Sequence, residues 1–148
     1  MKKFLFIGMA MLMFVLTACN KEREKIILGS WRLVHQQEIY DDSEYGYEME
    51  DHIFNGDNEK CYFLFQKNGV LYMGHYGEWT SWEYLEQSNE IKIAGRFTYR
   101  IEKFSHKEMV LSYTYTESDP EDDYWYSYSE RLYFEREKAP KGYGENVE

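Results

Sequence analysis

A chain of 148 residues has room for one domain, and its formal net charge of −10 at pH 7 opposes binding to nucleic-acid phosphates or anionic lipid headgroups. Aromatic residues make up 19% of the chain, whereas Pro occurs only twice. This composition excludes nucleic acid as a partner and favours a packed domain over a disordered chain.

The chain begins with a pattern typical of an export signal, in which Lys2 and Lys3 precede an apolar run from Phe4 to Ala18. That run has 15 residues, fewer than the ~20 that a transmembrane helix needs. A signal peptide over residues 1–18 is therefore preferred over a retained membrane span.

The segment Leu16-Thr17-Ala18-Cys19 resembles the lipobox of bacterial lipoproteins. The alternative is a chance cysteine at the end of an ordinary secretory signal. The resemblance implies that Cys19 becomes the first residue of the mature protein and carries fatty acyl chains such as palmitate, which form a stable anchor. The expected location is the cell envelope, lipid-anchored, with the outer membrane favoured and its periplasmic or surface face left open.

Residues 19–25 are polar after the cysteine and are predicted to form a short tether. From residue 26 to 136 apolar residues alternate with a period of two, in short runs separated by turn residues, which predicts an all-β domain. The eight predicted strands are Gly29–Ile39, Lys60–Gln66, Val70–Tyr76, Trp79–Leu85, Glu90–Ala94, Phe97–Phe104, Glu108–Thr116 and Tyr124–Glu135.

Further predictions concern the long first connection, the C-terminal segment and the inward face of the second strand. Residues 40–59 are expected to be irregular with at most a turn of helix, and residues 137–148 to be a flexible C-terminal tail. In the second strand the row Cys61, Phe63 and Phe65 is preferred as the inward one. Cys61 is interpreted as a small buried apolar residue, since no basic cluster surrounds it to lower its pKa.

The first strand opens with Gly29-Ser30-Trp31, and Gly-x-Trp at this place resembles the lipocalin signature. Residues 26–136 resemble the lipocalin-like domains of bacterial lipoproteins, with further similarity at Phe65-Gln66-Lys67-Asn68-Gly69, Ile91-Lys92-Ile93 and Tyr99-Arg100-Ile101. The resemblance implies an eight-stranded antiparallel up-and-down barrel in which Trp31 closes the floor. It also implies that an arginine near the end of the last strand, Arg131 or Arg136, packs over that ring. The alternative is that Trp31 is one more core aromatic residue.

In such a barrel the connections after the first, third, fifth and seventh strands lie at the open mouth, and acidic residues are concentrated in the first and last of them, residues 40–59 and 117–123. One hypothesis is that the mouth favours cationic or neutral ligands, or a basic partner surface, and disfavours fatty acids. The alternative is that these acids only keep the protein soluble. Candidate interior ligand-binding residues are Phe63, Phe65, Tyr99, Tyr113, Tyr115 and Trp82, unless side chains fill the interior.

The function favoured by the sequence is binding of a small hydrophobic or amphipathic ligand, neutral or cationic, by a membrane-anchored monomer. The alternative is a cell-envelope interaction or inhibitor module that acts through the acidic loops. Catalysis is not expected, because the sequence has neither a nucleophile motif nor a Gly-rich phosphate loop. No cofactor is expected and no metal site either, since the four His residues have no metal-ligand spacing.

Overall fold

A computed structural model describes residues 22–54, 60–119, 121 and 123–144. The predicted signal peptide, Cys19 and the last four residues lie outside this part of the chain. One short helix, residues 22–27, precedes the strands. The strands are β1 (Gly29–Asp42), β2 (Gly46–Ile53), β3 (Cys61–Phe65), β4 (Val70–Met73), β5 (Glu78–Leu85), β6 (Glu90–Ile93), β7 (Phe97–Phe104), β8 (Glu108–Asp119) and β9 (Tyr124–Arg136).

The sheet is antiparallel throughout and closes on itself. From β3 to β9 each strand pairs with its neighbour in sequence, and β1 pairs with both β3 and β9, so eight strands form a closed barrel. This confirms the predicted eight-stranded antiparallel up-and-down architecture. The ends of β1 and β9 near Gly29 and Arg136 form the closed floor, and the opposite end is the mouth.

The ninth strand is β2, which lies in the segment that was predicted to be irregular. It pairs with the second half of β1 from His35↔Ile53 to Asp42↔Gly46, beyond the point where the pairing of β1 with β3 ends. On the other side of β1, β9 and β8 continue to Tyr124 and Asp119. The strands β2, β1, β9 and β8 therefore extend past the other strands as a four-stranded wall, which rises about 20 Å from Gln36 to Asp42.

Alternation along the strands places one row of side chains inside the barrel. The inner row of β1 is Trp31, Leu33 and Gln36, because the register shifts by one residue between Leu33 and His35. The buried core consists of Ile27, Trp31, Leu33, Cys61, Phe63, Phe65, Leu71, Trp82, Tyr84, Ile91, Ile93, Tyr99, Ile101, Met109, Leu111, Leu132 and Phe134. The preferred inward row of β3 is confirmed, and burial raises the pKa of the Cys61 thiol to about 12, which keeps it protonated.

The C-terminal segment packs against the barrel, where the sequence predicted a flexible tail. The Tyr143 ring lies 5.0 Å from that of Tyr62 and 5.6 Å from that of Tyr72, and its hydroxyl accepts a hydrogen bond from the Tyr62 amide at 3.1 Å. The indole of Trp79 donates to the Gly144 carbonyl at 3.2 Å. Residues 137–144 thus cover the outer face of β3, β4 and β5, because the outward aromatic residues of these strands give the tail an apolar surface to bury.

Among the described residues, none lies in a helix of the length and apolar character needed to cross a membrane.

Candidate functional site

The floor of the barrel is built from the first and last strands and the short helix. The Arg136 guanidinium lies 4.0 Å from the centroid of the Trp31 ring. It donates to the carbonyls of Leu28, at 2.7 Å, and Ile26, and the Trp31 indole donates to the carbonyl of Ile27 at 2.7 Å. These two side chains therefore satisfy the carbonyl groups that the helix end leaves without backbone partners.

A glycine begins β1 because the floor arginine passes close to its backbone. Gly29 has a φ of 110°, and a Cβ atom at this position would lie 2.9 Å from Nη1 of Arg136. Any other residue would meet both backbone strain and this guanidinium. The spacing of Gly29 and Trp31 thus has a structural role at the floor.

Arg131 was the other candidate for the floor, and it does not lie there. It is offset by an odd number of residues from Arg136 and so points to the outside of the barrel, where its Nε lies 3.0 Å from a carboxylate oxygen of Glu102. The geometry therefore assigns the floor contact to Arg136 and excludes Arg131 from it.

Three of the predicted interior ligand-binding residues pack against other core side chains. Phe65 meets Trp82 edge to face at 5.2 Å, Phe63 meets Phe134 at 5.0 Å, and the Trp82 indole donates to the Gln66 carbonyl at 2.9 Å. All three are nearly fully buried. The lower half of the barrel is therefore a side-chain-filled core, the alternative that the sequence left open.

The other predicted residues lie nearer the mouth, where Tyr113 and Tyr115 line an open groove. Five aromatic side chains line this groove of about 370 Å³, namely Phe97, Tyr113, Tyr115, Tyr126 and Tyr128. At its edge the Arg96 guanidinium stacks 4.5 Å above the Phe97 ring. The Tyr115 hydroxyl donates to Glu117 at 3.0 Å. We call these five side chains the aromatic groove.

A row of three carboxylates crosses the wall below the groove. Glu38 of β1 lies directly opposite Glu50 of β2 on one side and opposite Glu130 of β9 on the other. Glu130 is only 5% exposed and accepts hydrogen bonds from Tyr99 at 2.5 Å and from the Gln36 amide at 2.9 Å. Burial and the charge of Glu38 raise the pKa of Glu130, although these two hydrogen bonds act in the opposite direction.

Two tyrosines hold the central carboxylate of this row. The hydroxyls of Tyr128, at 2.7 Å, and Tyr40, at 3.3 Å, both donate to Oε1 of Glu38. Burial, together with the neighbouring Glu38 carboxylate, raises the pKa of Tyr40 to about 12 and also raises that of Tyr128. Both phenols therefore stay protonated at neutral pH and act as donors. Since the ring of Tyr128 lines the aromatic groove, this residue connects the groove to the carboxylates.

The sequence prediction missed His52, which lies beside this row. Its Nε2 is 3.3 Å from Oε2 of Glu50 and 3.6 Å from Oε2 of Glu38. Glu50 and His52 are two residues apart on one face of β2, a spacing that has meaning only in a strand. Because residues 40–59 were interpreted as irregular, there was no reason to place Glu50 and His52 on one face.

The acidic residues of the first connection do not all face the mouth as the sequence suggested. Because β2 is a strand, Glu48 and Glu50 point to the inner face of the wall, whereas Asp51 points outward and pairs with His35 at 2.8 Å. That contact lowers the pKa of Asp51. The acidic side chains are thus divided between the two faces of the wall, and those on the inner face lie on the same side as the aromatic groove.

Comparisons with known proteins identify no relative: no protein-family model matches the chain, and no curated protein and no solved structure matches it.

Proposed function

We propose that this protein is a lipid-anchored lipoprotein of the cell envelope, with a lipocalin-like domain that binds a small amphipathic cation in the aromatic groove. The observation that carries the proposal is the groove itself, five aromatic rings open to solvent on a wall whose inner face bears carboxylates. Aromatic faces attract organic cations through the ring quadrupole, and rings supply apolar contact area to the rest of the ligand.

The contacts of the groove support a cation over an anion. Two carboxylates lie next to the groove: Glu117 accepts a hydrogen bond from Tyr115, and Glu38 accepts one from Tyr128. Arg96 already stacks on the Phe97 ring at one edge, so a ring of the groove accepts a cation within the protein itself. An anionic ligand of the fatty-acid type would meet repulsion from the carboxylates, while a quaternary ammonium group would not.

A matched pair of probes tests the proposed ligand class. Benzyltrimethylammonium and benzylsulfonate carry opposite charges on the same ring, and the full chain is titrated with each in zwitterionic lipid nanodiscs. We expect the cation to bind at least about tenfold more tightly, a difference of about 1.4 kcal/mol. Tyr126→Ser should weaken cation binding about three- to tenfold, because one cation–π contact is lost.

Tyr45→Ser is the control for the tyrosine substitution, since Tyr45 lies in the β1–β2 turn and is 87% exposed. This variant should bind the cation as the unmodified chain does. Equal affinity for the two probes, a preference for the sulfonate, or equal effects of Tyr126→Ser and Tyr45→Ser would each disprove the proposed ligand class.

The proposed anchor is an acylated Cys19, and its support is the sequence pattern of residues 1–19. The described chain enters the domain at the floor, where Arg136 contacts the helix of residues 22–27. Cys19 is three residues from Glu22, a distance of at most about 10 Å. In the proposed arrangement the floor therefore faces the membrane, and the aromatic groove opens away from it.

Labelling with radioactive palmitate tests the anchor. The full chain expressed in a bacterium should incorporate the label and fractionate with membranes, and Cys19→Ser should lose both properties completely. Cys61→Ala is the matched control, because Cys61 is buried with a raised pKa and is not a candidate for acylation. Retention of the label by Cys19→Ser would contradict the proposed anchor.

A further inference from the structure

We propose that Glu38, Glu50 and His52 bind one divalent transition-metal ion of the Zn²⁺ type on the inner face of the wall. This site adjoins the aromatic groove through the hydrogen bond from Tyr128 to Glu38, but none of its three ligands lines the groove. The inference therefore does not depend on the proposed organic ligand.

The three side chains lie near the distances that a metal ion requires. Their candidate ligand atoms, one from each residue, all lie within 4.8 Å of one another. The Nε2 of His52 is 3.3 Å from Glu50 and 3.6 Å from Glu38. Zinc bonds of 2.0–2.1 Å in tetrahedral geometry place ligand atoms about 3.4 Å apart. Binding would thus require only small movements of the side chains.

The sheet explains why these residues converge. Glu50 is the register partner of Glu38, and His52 follows Glu50 on the same face of β2. The hydroxyls of Tyr128 and Tyr40 hold Oε1 of Glu38, so its Oε2 faces the imidazole. Hydrogen bonds of this kind orient metal-binding carboxylates in many metalloproteins.

The local charge also favours a cation. Glu38 has carboxylates directly opposite it on both neighbouring strands, Glu50 and Glu130, and like charges opposite each other destabilise a sheet. Within the described part of the chain, His52 is the only basic residue in ion-pair distance of Glu38 or Glu50. One imidazole cannot balance the two carboxylates Glu38 and Glu50, whereas a divalent ion can.

A second and independent observation comes from Gln36, which lies opposite His52 on the same inner face. Its side chain is 3% exposed, and its Nε2 donates to Glu130, but its Oε1 has no hydrogen-bond partner among the described residues. An unsatisfied buried acceptor is costly. Since Gln36 is the register partner of His52, an O–H donor of a ligand bound on this face would supply the missing partner.

The donor set selects the class of metal. Calcium and magnesium are bound by oxygen atoms alone, whereas a site with an imidazole nitrogen suits zinc and its first-row neighbours. Three protein ligands leave one position of a tetrahedral ion open. His52 also lines an open cleft of about 580 Å³, so at least one ligand of the proposed site borders solvent.

Calorimetric titration of the untagged full chain, stripped of metals with a chelator, tests the site. We expect one equivalent of Zn²⁺ to bind at a site for which Ca²⁺ and Mg²⁺ in hundredfold excess do not compete. His52→Ala and Glu50→Gln should each weaken this binding at least about tenfold. Tyr128→Phe should weaken it about tenfold, because Glu38 loses an orienting hydrogen bond.

The hairpin provides matched controls on its opposite face. His35→Ala and Asp51→Asn remove an imidazole and a carboxylate from the same β1–β2 hairpin, but these side chains point outward and pair with each other, and both variants should bind Zn²⁺ normally. Circular dichroism checks that all variants are folded. The proposal is wrong if inner-face and outer-face variants bind alike, or if Ca²⁺ competes with Zn²⁺ on equal terms, since both results would indicate only counterions around an acidic surface.

Discussion

Arg136→Met is expected to lower the free energy of unfolding by about 2–4 kcal/mol. The substitution removes the guanidinium that stacks on Trp31 and leaves the carbonyls of Ile26 and Leu28 without their donor. The apolar stem of Met replaces most of the volume of Arg, so the loss reports the polar contacts and not a cavity. Urea denaturation of the full chain, monitored by Trp fluorescence, measures the change.

Arg131→Met is the matched control, because it removes the same group from the same strand on the outer face. Arg131 pairs with Glu102 in a partly exposed ion pair, and such pairs contribute about 0–1 kcal/mol. Equal destabilisation by the two substitutions would show that the floor contact has no special importance. A larger effect of Arg131→Met would contradict the assignment of Arg136 to the floor.

Glu130→Ala is expected to destabilise the protein by about 2–4 kcal/mol, because the Tyr99 hydroxyl and the Gln36 amide both lose their buried acceptor. Glu130→Gln keeps the volume and one acceptor oxygen, so its cost should be clearly smaller. Thermal or urea unfolding at pH 4.5 in the presence of a chelator separates the two variants. A Gln variant as unstable as the Ala variant would mean that the carboxylate charge itself stabilises the fold.

The raised pKa of Glu130 predicts how the stability of Glu130→Gln, relative to the unmodified chain, changes with pH. The pKa of Glu130 is raised above its usual value of 4.5 by burial and by Glu38, so the folded protein holds this proton more tightly than the unfolded chain does. Its contribution to stability is present at pH 4.5 and below, and it is lost as the pH rises through the raised pKa. Glu130→Gln carries no such proton. Its stability relative to the unmodified chain should therefore increase between pH 4.5 and 7, and a constant difference would contradict the raised pKa.

Much of the fold was predictable because each strand has its own local pattern of alternating apolar residues. In β7 the predicted bounds, Phe97–Phe104, are those of the structure, since alternation of Phe97, Tyr99 and Ile101 is interrupted by turn residues on both sides. The Gly-x-Trp pattern at Gly29 likewise led to the floor and to two candidate arginines. Sequence could not choose between Arg131 and Arg136, because a bulge or a one-residue change of register in any strand reverses the faces.

The inner face of the wall was not predictable, and the reason is physical. Residues 46–53 are all exposed and carry Glu, Asp and His, so they lack the apolar alternation that marks a strand. They form β2 because the second half of β1 has a free edge where β3 ends, and backbone pairing satisfies that edge. Only this pairing brings Glu50 and His52 to Glu38.

The sequence by itself determined the class of the domain, the approximate positions of eight barrel strands, the inward row of the second strand and the acidic character, because residue type and alternation with a period of two reveal these features. The tertiary structure decided which aromatic residues fill the core and which line an open groove, which arginine closes the floor, and where the tail packs. It also decided that Glu38, Glu50, Glu130 and His52 meet, since contacts across strands depend on register and closure, and neither is a property of any local segment.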